Sequence, residues 1–207
     1  HVPPFVESVI PLNDSPNPRN TIVQVNFSEP VLPTVASGST AGGFENMSVF
    51  DTGTDINNNN DDKPVAGIFS ISNGYRTVEF ATLDACATNS CNQKIYCLPG
   101  NKKLAALVKS ATLGTNPPLA LDQNGDFDGI VDLSGNSLDS HSKTDPAALP
   151  DGTADGPPFD DYSWKFETTD EIDLTPPVIE KVSPGVGASL VPLDKVVDID
   201  FSKQMMF

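Results

Sequence analysis

The sequence predicts an all-β chain, and three observations carry the prediction. Apolar residues recur at period two in several short runs. The 207 residues hold 15 Gly and 19 Pro, too much punctuation for long helices. Of the 28 acidic residues 21 are Asp, which belongs to turns, caps and oxygen-rich cation sites rather than to charged helical surfaces.

The elements follow in chain order. Phe5 to Pro11 and Thr21 to Pro30 read as two strands joined by a Pro/Asn loop. In the second of them Thr21, Val23, Val25 and Phe27 form the apolar face, while Ile22, Gln24 and Asn26 form the polar-leaning one. Phe44 to Phe50, Val65 to Ile71 and Arg76 to Thr82 are the next candidates, the last two closing a hairpin at the Asn73-Gly74 turn signal. Lys103 to Leu113 has helical propensity at its start, but its neighbours are strands and a strand is expected. Tyr162 to Thr168 completes the set, and long polar insertions lie at 37–43, 51–63 and 113–160.

The opening text then returns. Pro3-Pro4-Phe5-Val6-Glu7-Ser8-Val9-Ile10-Pro11 is matched 173 residues later by Pro176-Pro177-Val178-Ile179-Glu180-Lys181-Val182-Ser183-Pro184. The strand ending in Phe27-Ser28 is matched by one ending in Phe201-Ser202, offset by 174 residues, so the second copy gains one loop residue. Residues 1–170 are therefore expected to form one complete domain, 171–175 a polar linker, and 176–207 the first two strands of a second copy. The chain opens on His1 without a leader-like segment and reads as a processed or excised piece of something longer.

Charge narrows the partners. With 12 Lys and Arg the net charge is −16 and the sequence pI about 4.2, a poor match to nucleic acid or anionic membrane. No run approaches the roughly 18 apolar residues of a membrane helix, so no membrane insertion is expected. Catalytic signatures are absent from the sequence: His1 and His141 are its only histidines, and no nucleophile elbow, zinc-binding histidine pair, phosphate loop or dinucleotide fingerprint occurs. The expectation is a protein that is not an enzyme.

Four ordered motifs carry a resemblance: the Pro-Pro openings, the strand ending Phe27-Ser28-Glu29-Pro30, Asp132-Leu133-Ser134-Gly135-Asn136-Ser137-Leu138, and Trp164-Lys165-Phe166-Glu167-Thr168-Thr169. The chain resembles the bacterial Ig-like domain of surface-layer-type proteins and other large secreted bacterial proteins. The resemblance implies a seven-stranded, two-sheet Greek-key β-sandwich with Phe27, Phe80, Trp164 and Phe166 in its core. A repeat of 173 residues departs from the roughly 100 of an Ig-like sandwich, the insertions making up the excess.

The strongest chemical motif is the run from Asp122 to Asp132. Asn124, Asp126 and Asp128 stand at loop positions 1, 3 and 5, Gly129 at 6, the Ile130 carbonyl at 7 and Asp132 at 9, a spacing that wraps a chain around a hard cation. It resembles the calcium loops of dockerin and thrombospondin type 3 repeats, except that Gly135 stands where an EF-hand has its bidentate Glu. The expected cofactor is Ca²⁺, held by Asp122, Asn124, Asp126, Asp128, Ile130 and Asp132. A second alternating series, Asp51 to Asp61, lacks a well-placed Gly and reads as disorder or a plain polar loop.

Cys86, Cys91 and Cys97 fit neither zinc-knuckle nor redox-pair spacing. One local disulfide is expected, with three pairings open, and the odd thiol is expected to be buried and free rather than bonded to another subunit. The functional expectation is a calcium-stabilised structural unit of a cell-surface or extracellular assembly: a surface layer, an adhesin stalk or a filament. Its partners would be other copies of itself or neighbouring Ig-like domains, with strand complementation at the second copy as a route to polymers. The alternative is an accessory module binding a glycan or a protein, although one Trp and 3 Tyr leave little for an aromatic platform.

Overall fold

The computed structural model describes residues 2–53, 62–114, 120–121, 126–140, 150 and 152–202. In chain order these form β1 (Val6–Ile10), β2 (Pro16–Asn17), β3 (Val23–Phe27), the one-turn helix α1 (Pro33–Ala36), β4 (Gly38–Ser39), β5 (Met47–Asp51), β6 (Lys63–Pro64), β7 (Gly67–Ser72), β8 (Thr77–Thr82), β9 (Ala85–Thr88), β10 (Lys94–Tyr96), β11 (Lys102–Val108), β12 (Tyr162–Thr168), β13 (Ile179–Ser183) and β14 (Asp198–Phe201). The chain divides into two units between Ile172 and Asp173, within the segment read as a linker.

The first unit is a sandwich of two five-stranded sheets, ordered β1-β3-β8-β7-β4 and β2-β12-β11-β5-β6. Alternation in the sequence becomes alternation in burial. Val23, Val25 and Phe27 of β3 and Phe69, Val78 and Phe80 of the same sheet face Val49, Leu104, Ala106, Val108, Trp164 and Phe166 of the other, all in one apolar core. Burying side chains of this size contributes about 1.5–3 kcal/mol each. The four aromatic residues expected in the core are there, none above 3% exposed.

Between β12 and β5, with Leu104, Ala106 and Val108 pointing inward, β11 is a central strand. Helix propensity at Lys103 to Lys109 is overridden because only the extended backbone satisfies two neighbouring ladders at once. The regular strand stops at Val108, short of the expected Leu113, and Ser110 and Leu113 keep only isolated bridges. The turn at Asn73-Gly74-Tyr75 has all three residues at positive φ and joins β7 to β8 in the expected hairpin.

Within the insertion before β11, β9 and β10 form a separate two-stranded hairpin. Cys86 and Cys97 are disulfide-bonded across its base, with Cα atoms 5.7 Å apart. The remaining thiol corrects the sequence expectation, for Cys91 is free but exposed. It sits on a turn where the Asn89 carboxamide oxygen accepts the Cys91 and Gln93 N–H groups, at the end of the hairpin farthest in sequence from the core.

The second unit is the strand pair β13/β14, and it repeats β1/β3 residue by residue. In the first pair Val6, Ser8, Val9 and Ile10 stand opposite Phe27, Asn26, Val25 and Gln24, with an irregularity between Val6 and Ser8. In the second, Ile179, Lys181, Val182 and Ser183 stand opposite Phe201, Asp200, Ile199 and Asp198, with the irregularity between Ile179 and Lys181. Even the closing bonds recur: Ser28 N–H donates to the Phe5 carbonyl at 2.9 Å, and Ser202 N–H to the Val178 carbonyl at 2.8 Å. The Ser28 and Ser202 hydroxyl oxygens each accept from the partner backbone at 3.0 Å.

Candidate functional site

The Asp-rich segment closes one part of the sandwich, and its apolar residues explain where it goes. Ile130, Val131 and Leu138 are fully buried and belong to the core. The Ile130 N–H donates to the Lys109 carbonyl at 2.8 Å, and the Val131 carbonyl accepts from Leu32 N–H at 2.8 Å. The segment is thereby stitched to β11 and to the chain before α1. Gly129 is required by proximity: a Cβ there would overlap the backbone of Ser110 and Ala111.

Asp128 and Asp132 both accept hydrogen bonds from donors of the protein. Asp132, 4% exposed, accepts from the Ser134 N–H at 2.7 Å and the Asn136 N–H at 2.8 Å through Oδ1, and from the Asn136 carboxamide at 2.7 Å through Oδ2. Gly135 follows at φ +83°, a left-handed position that favours glycine. The Asp-Leu-Ser-Gly-Asn motif is therefore an Asx-type turn capped by its own first side chain, with Leu138 as its apolar anchor. Asp128 accepts from the Thr112 N–H at 2.8 Å and the Thr112 hydroxyl at 2.7 Å.

Further along, the same device recurs on residues that the sequence pattern did not single out. Asp161 accepts from both the N–H and the hydroxyl of Ser110, at 2.8 and 2.9 Å. Asp139, 1% exposed, accepts from Gly152 N–H at 2.8 Å; Asp160, fully buried, accepts from the Gly156 N–H at 2.9 Å and from Asp155 N–H. These carboxylates act as staples, satisfying loop N–H groups that no strand pairs. The donors of Asp139 and Asp161 are 13 and 51 residues away in sequence, beyond any local spacing rule, whereas Asp132 and Asp160 take theirs from within five residues.

The calcium expectation finds no support in this geometry. Asp122 and Asn124 lie outside the described residues. Of the other four expected ligands, Asp128 and Asp132 turn to separate sets of donors, the Ile130 carbonyl accepts from Leu138 N–H at 3.0 Å, and Asp126 is exposed. Among the described residues no three His, Cys, Asp or Glu side chains are grouped to hold a metal ion. What the arrangement does chemically is hold loops, and it carries one electrostatic cost. Burial, with the Asp132 charge adding to it, pushes the Glu29 carboxyl above its ordinary value, because two carboxylates of neighbouring motifs share a partly desolvated region.

No protein family and no curated protein matches this chain. Among solved structures it is similar to PcoC, a methionine-rich copper resistance protein from Escherichia coli, with TM-score 0.43 and 13% identity over 80% of this chain and 98% of that one. It is also similar to the S-layer protein rSbsC(31-844), with TM-score 0.40 and 13% identity over 86% of this chain and 15% of that one. No helix among the described residues is long and apolar enough to cross a membrane.

Proposed function

We propose that residues 1–172 are a structural, non-catalytic sandwich module of a tandem array outside the cytoplasm, in a surface layer, an adhesin stalk or a filament. The observation that carries this reading is the repeated strand pair, since β13/β14 reproduces β1/β3 in register, irregularity and closing hydrogen bonds. Repetition of one unit along a chain is the signature of an extended scaffold rather than of a single reactive site. The Cys86–Cys97 disulfide supports an oxidising compartment. Partners on this reading are neighbouring copies or neighbouring Ig-like modules. The described Asp residues contribute by stapling loops without a cation.

Single-molecule stretching of the chain between inert handles tests the proposal. A load-bearing module ruptures in one cooperative event and releases about 3.3–3.6 Å of contour per residue. Residues between Cys86 and Cys97 stay locked until a reductant is added. Gradual extension without a rupture peak would sink the scaffold reading.

One observation favours an accessory binding module as a second reading. A half-open groove of about 590 Å³ lies beside β5 and β11, floored by Phe44, Phe50, Val65 and Leu107 and flanked by Glu45 and Lys109. Screening soluble glycans and apolar ligands for a rise in melting temperature that Phe50→Ala abolishes would bring this reading forward; no rise would remove it.

A further inference from the structure

Two features of the first unit have complementary chemistry, the groove beside β5 and β11 and the β9/β10 hairpin. Val49, Ala106 and Val108 point into the core, so Phe50 and Leu107 stand on the outer face of the sheet, where they floor the groove with Phe44 and Val65. At Glu45 and Lys109 this trough runs into a polar compartment of about 330 Å³ that Asn46, Asp126 and Asp128 line. Three carboxylates, those of Glu45, Asp126 and Asp128, stand there against the one ammonium of Lys109 among the described lining residues. An apolar trough that ends in negative charge fits an apolar side chain with a cation close beside it. Being half open, it suits side chains carried by a polypeptide better than a free small molecule, which its site would enclose.

The hairpin presents that pattern. Strand alternation puts Lys94 and Tyr96 on one side of β10, both exposed, with the less exposed Ile95 between them. Lys94 makes no ion pair among the described residues. The Cys86–Cys97 disulfide braces the base of the hairpin and the Asn89 carboxamide holds its turn, so the two side chains sit on a pre-ordered element and lose little freedom on docking. Of the other exposed large apolar residues between 2 and 172, only Tyr75 has a Lys or Arg within two positions, and the Arg76 guanidinium there already donates to the Ser28 carbonyl. No residue of the hairpin lines the groove of its own chain.

We propose that the β9/β10 hairpin of one copy of this chain docks in the groove of a second copy, Tyr96 entering the trough over Phe50 and Leu107 and Lys94 meeting Glu45 and Asp126 at its acidic end. Tyr96 supplies the apolar contact and Lys94 the selectivity. A net charge of −16 makes most contacts between copies repulsive, and a cation brought to these carboxylates is what makes this one favourable. The contact is heterologous, with a hairpin on one copy and a groove on the other, so it can propagate from copy to copy. Each contact is small, and in a tandem array many such contacts act together.

The inference deepens the array reading and rests on it, but its test is separate from stretching, which loads one chain at a time. Sedimentation velocity of the 207-residue chain carrying Cys91→Ser, which removes dimers linked through the exposed thiol, should show reversible association that grows with concentration up to about 1 mM. Tyr96→Ala and Phe50→Ala are each expected to weaken it by about tenfold, and an equimolar mixture of the two recovers pairs, since one keeps the groove and the other the hairpin. Lys94→Glu and Glu45→Lys, both at exposed positions, should each weaken association by about tenfold, and the double variant should restore most of it. Melting curves check that every variant is folded, and the charge pair carries the test if Phe50→Ala is not. A monomer at every concentration, association that none of these substitutions weakens, or no recovery in the double variant overturns the proposal. A rupture peak without association would leave the array reading standing and remove this contact; association without a rupture peak would do the reverse.

Discussion

The strand pairs β1/β3 and β13/β14 share register, irregularity and closing serine bonds, yet differ in what surrounds them. Phe27 is 1% exposed and Phe201 is 40% exposed at equivalent positions. Pairing two strands is thus a local property, set by alternation and by a serine that closes the ladder from either copy. Burial is a property of the whole sandwich, supplied in the first copy by β8 and by the sheet containing β11 and β12. Because a pair of strands is marginal by itself, the energetic weight of the same side chain differs sharply between copies.

The sharpest way to break the equivalence is a matched truncation. Phe27→Ala is expected to cost the first unit about 3–5 kcal/mol in urea unfolding, whereas Phe201→Ala leaves that transition within about 0.5 kcal/mol of wild type. Equal losses would mean that the two copies unfold as one body. Next in size is the stapled turn, which the described second copy lacks. Asp132→Ala strands the Ser134 and Asn136 N–H groups and should lower stability by about 2–3 kcal/mol, measured by denaturant midpoint.

A smaller effect separates the two Phe-Ser ends by charge. Glu29, two residues after Phe27, has a carboxyl pushed up by burial and then by Asp132, so the folded state holds its proton more tightly than the unfolded state. That contribution to stability is present below the ordinary Glu value and is lost as pH rises through the raised one. Glu29→Gln should therefore flatten the fall in melting temperature on the alkaline side of pH 4.5, and an unchanged profile would remove the coupling to Asp132. The least effect is expected from chelator, which should leave the melting temperature where it was, because Asp128 and Asp132 already accept from donors of the protein. A fall on chelation, reversed by Ca²⁺, would restore the cation to the loop through Asp122 and Asn124.

Much of the fold was legible because strand signals are local. Val23, Val25 and Phe27, the Asn73-Gly74 turn and Trp164-x-Phe166 announce their faces within a few residues of themselves. The candidate site was far less legible. Asp128, Asp139 and Asp161 meet donors 13 to 51 residues away through loop paths that no spacing encodes, so within the alternating series Asp128 and Asp132 turn to different sets of protein donors. Gly129 was read as turn-permitting, and its actual demand is the close approach of the Ser110 backbone. Cys91 was expected inside because free thiols usually are; a hairpin turn carried it out.

The longer strands, the β7/β8 hairpin and the repeat of the opening strand pair belong to the sequence alone, since period-two alternation, a turn signal and a text repeated at offsets of 173 and 174 need no three-dimensional context. Which of three cysteines pair, which carboxylates staple loops and which copy of one strand pair is covered were decided only by the tertiary structure. Those outcomes depend on atoms brought together from distant parts of the chain, and the free energy of burying or satisfying a group resides in its neighbours.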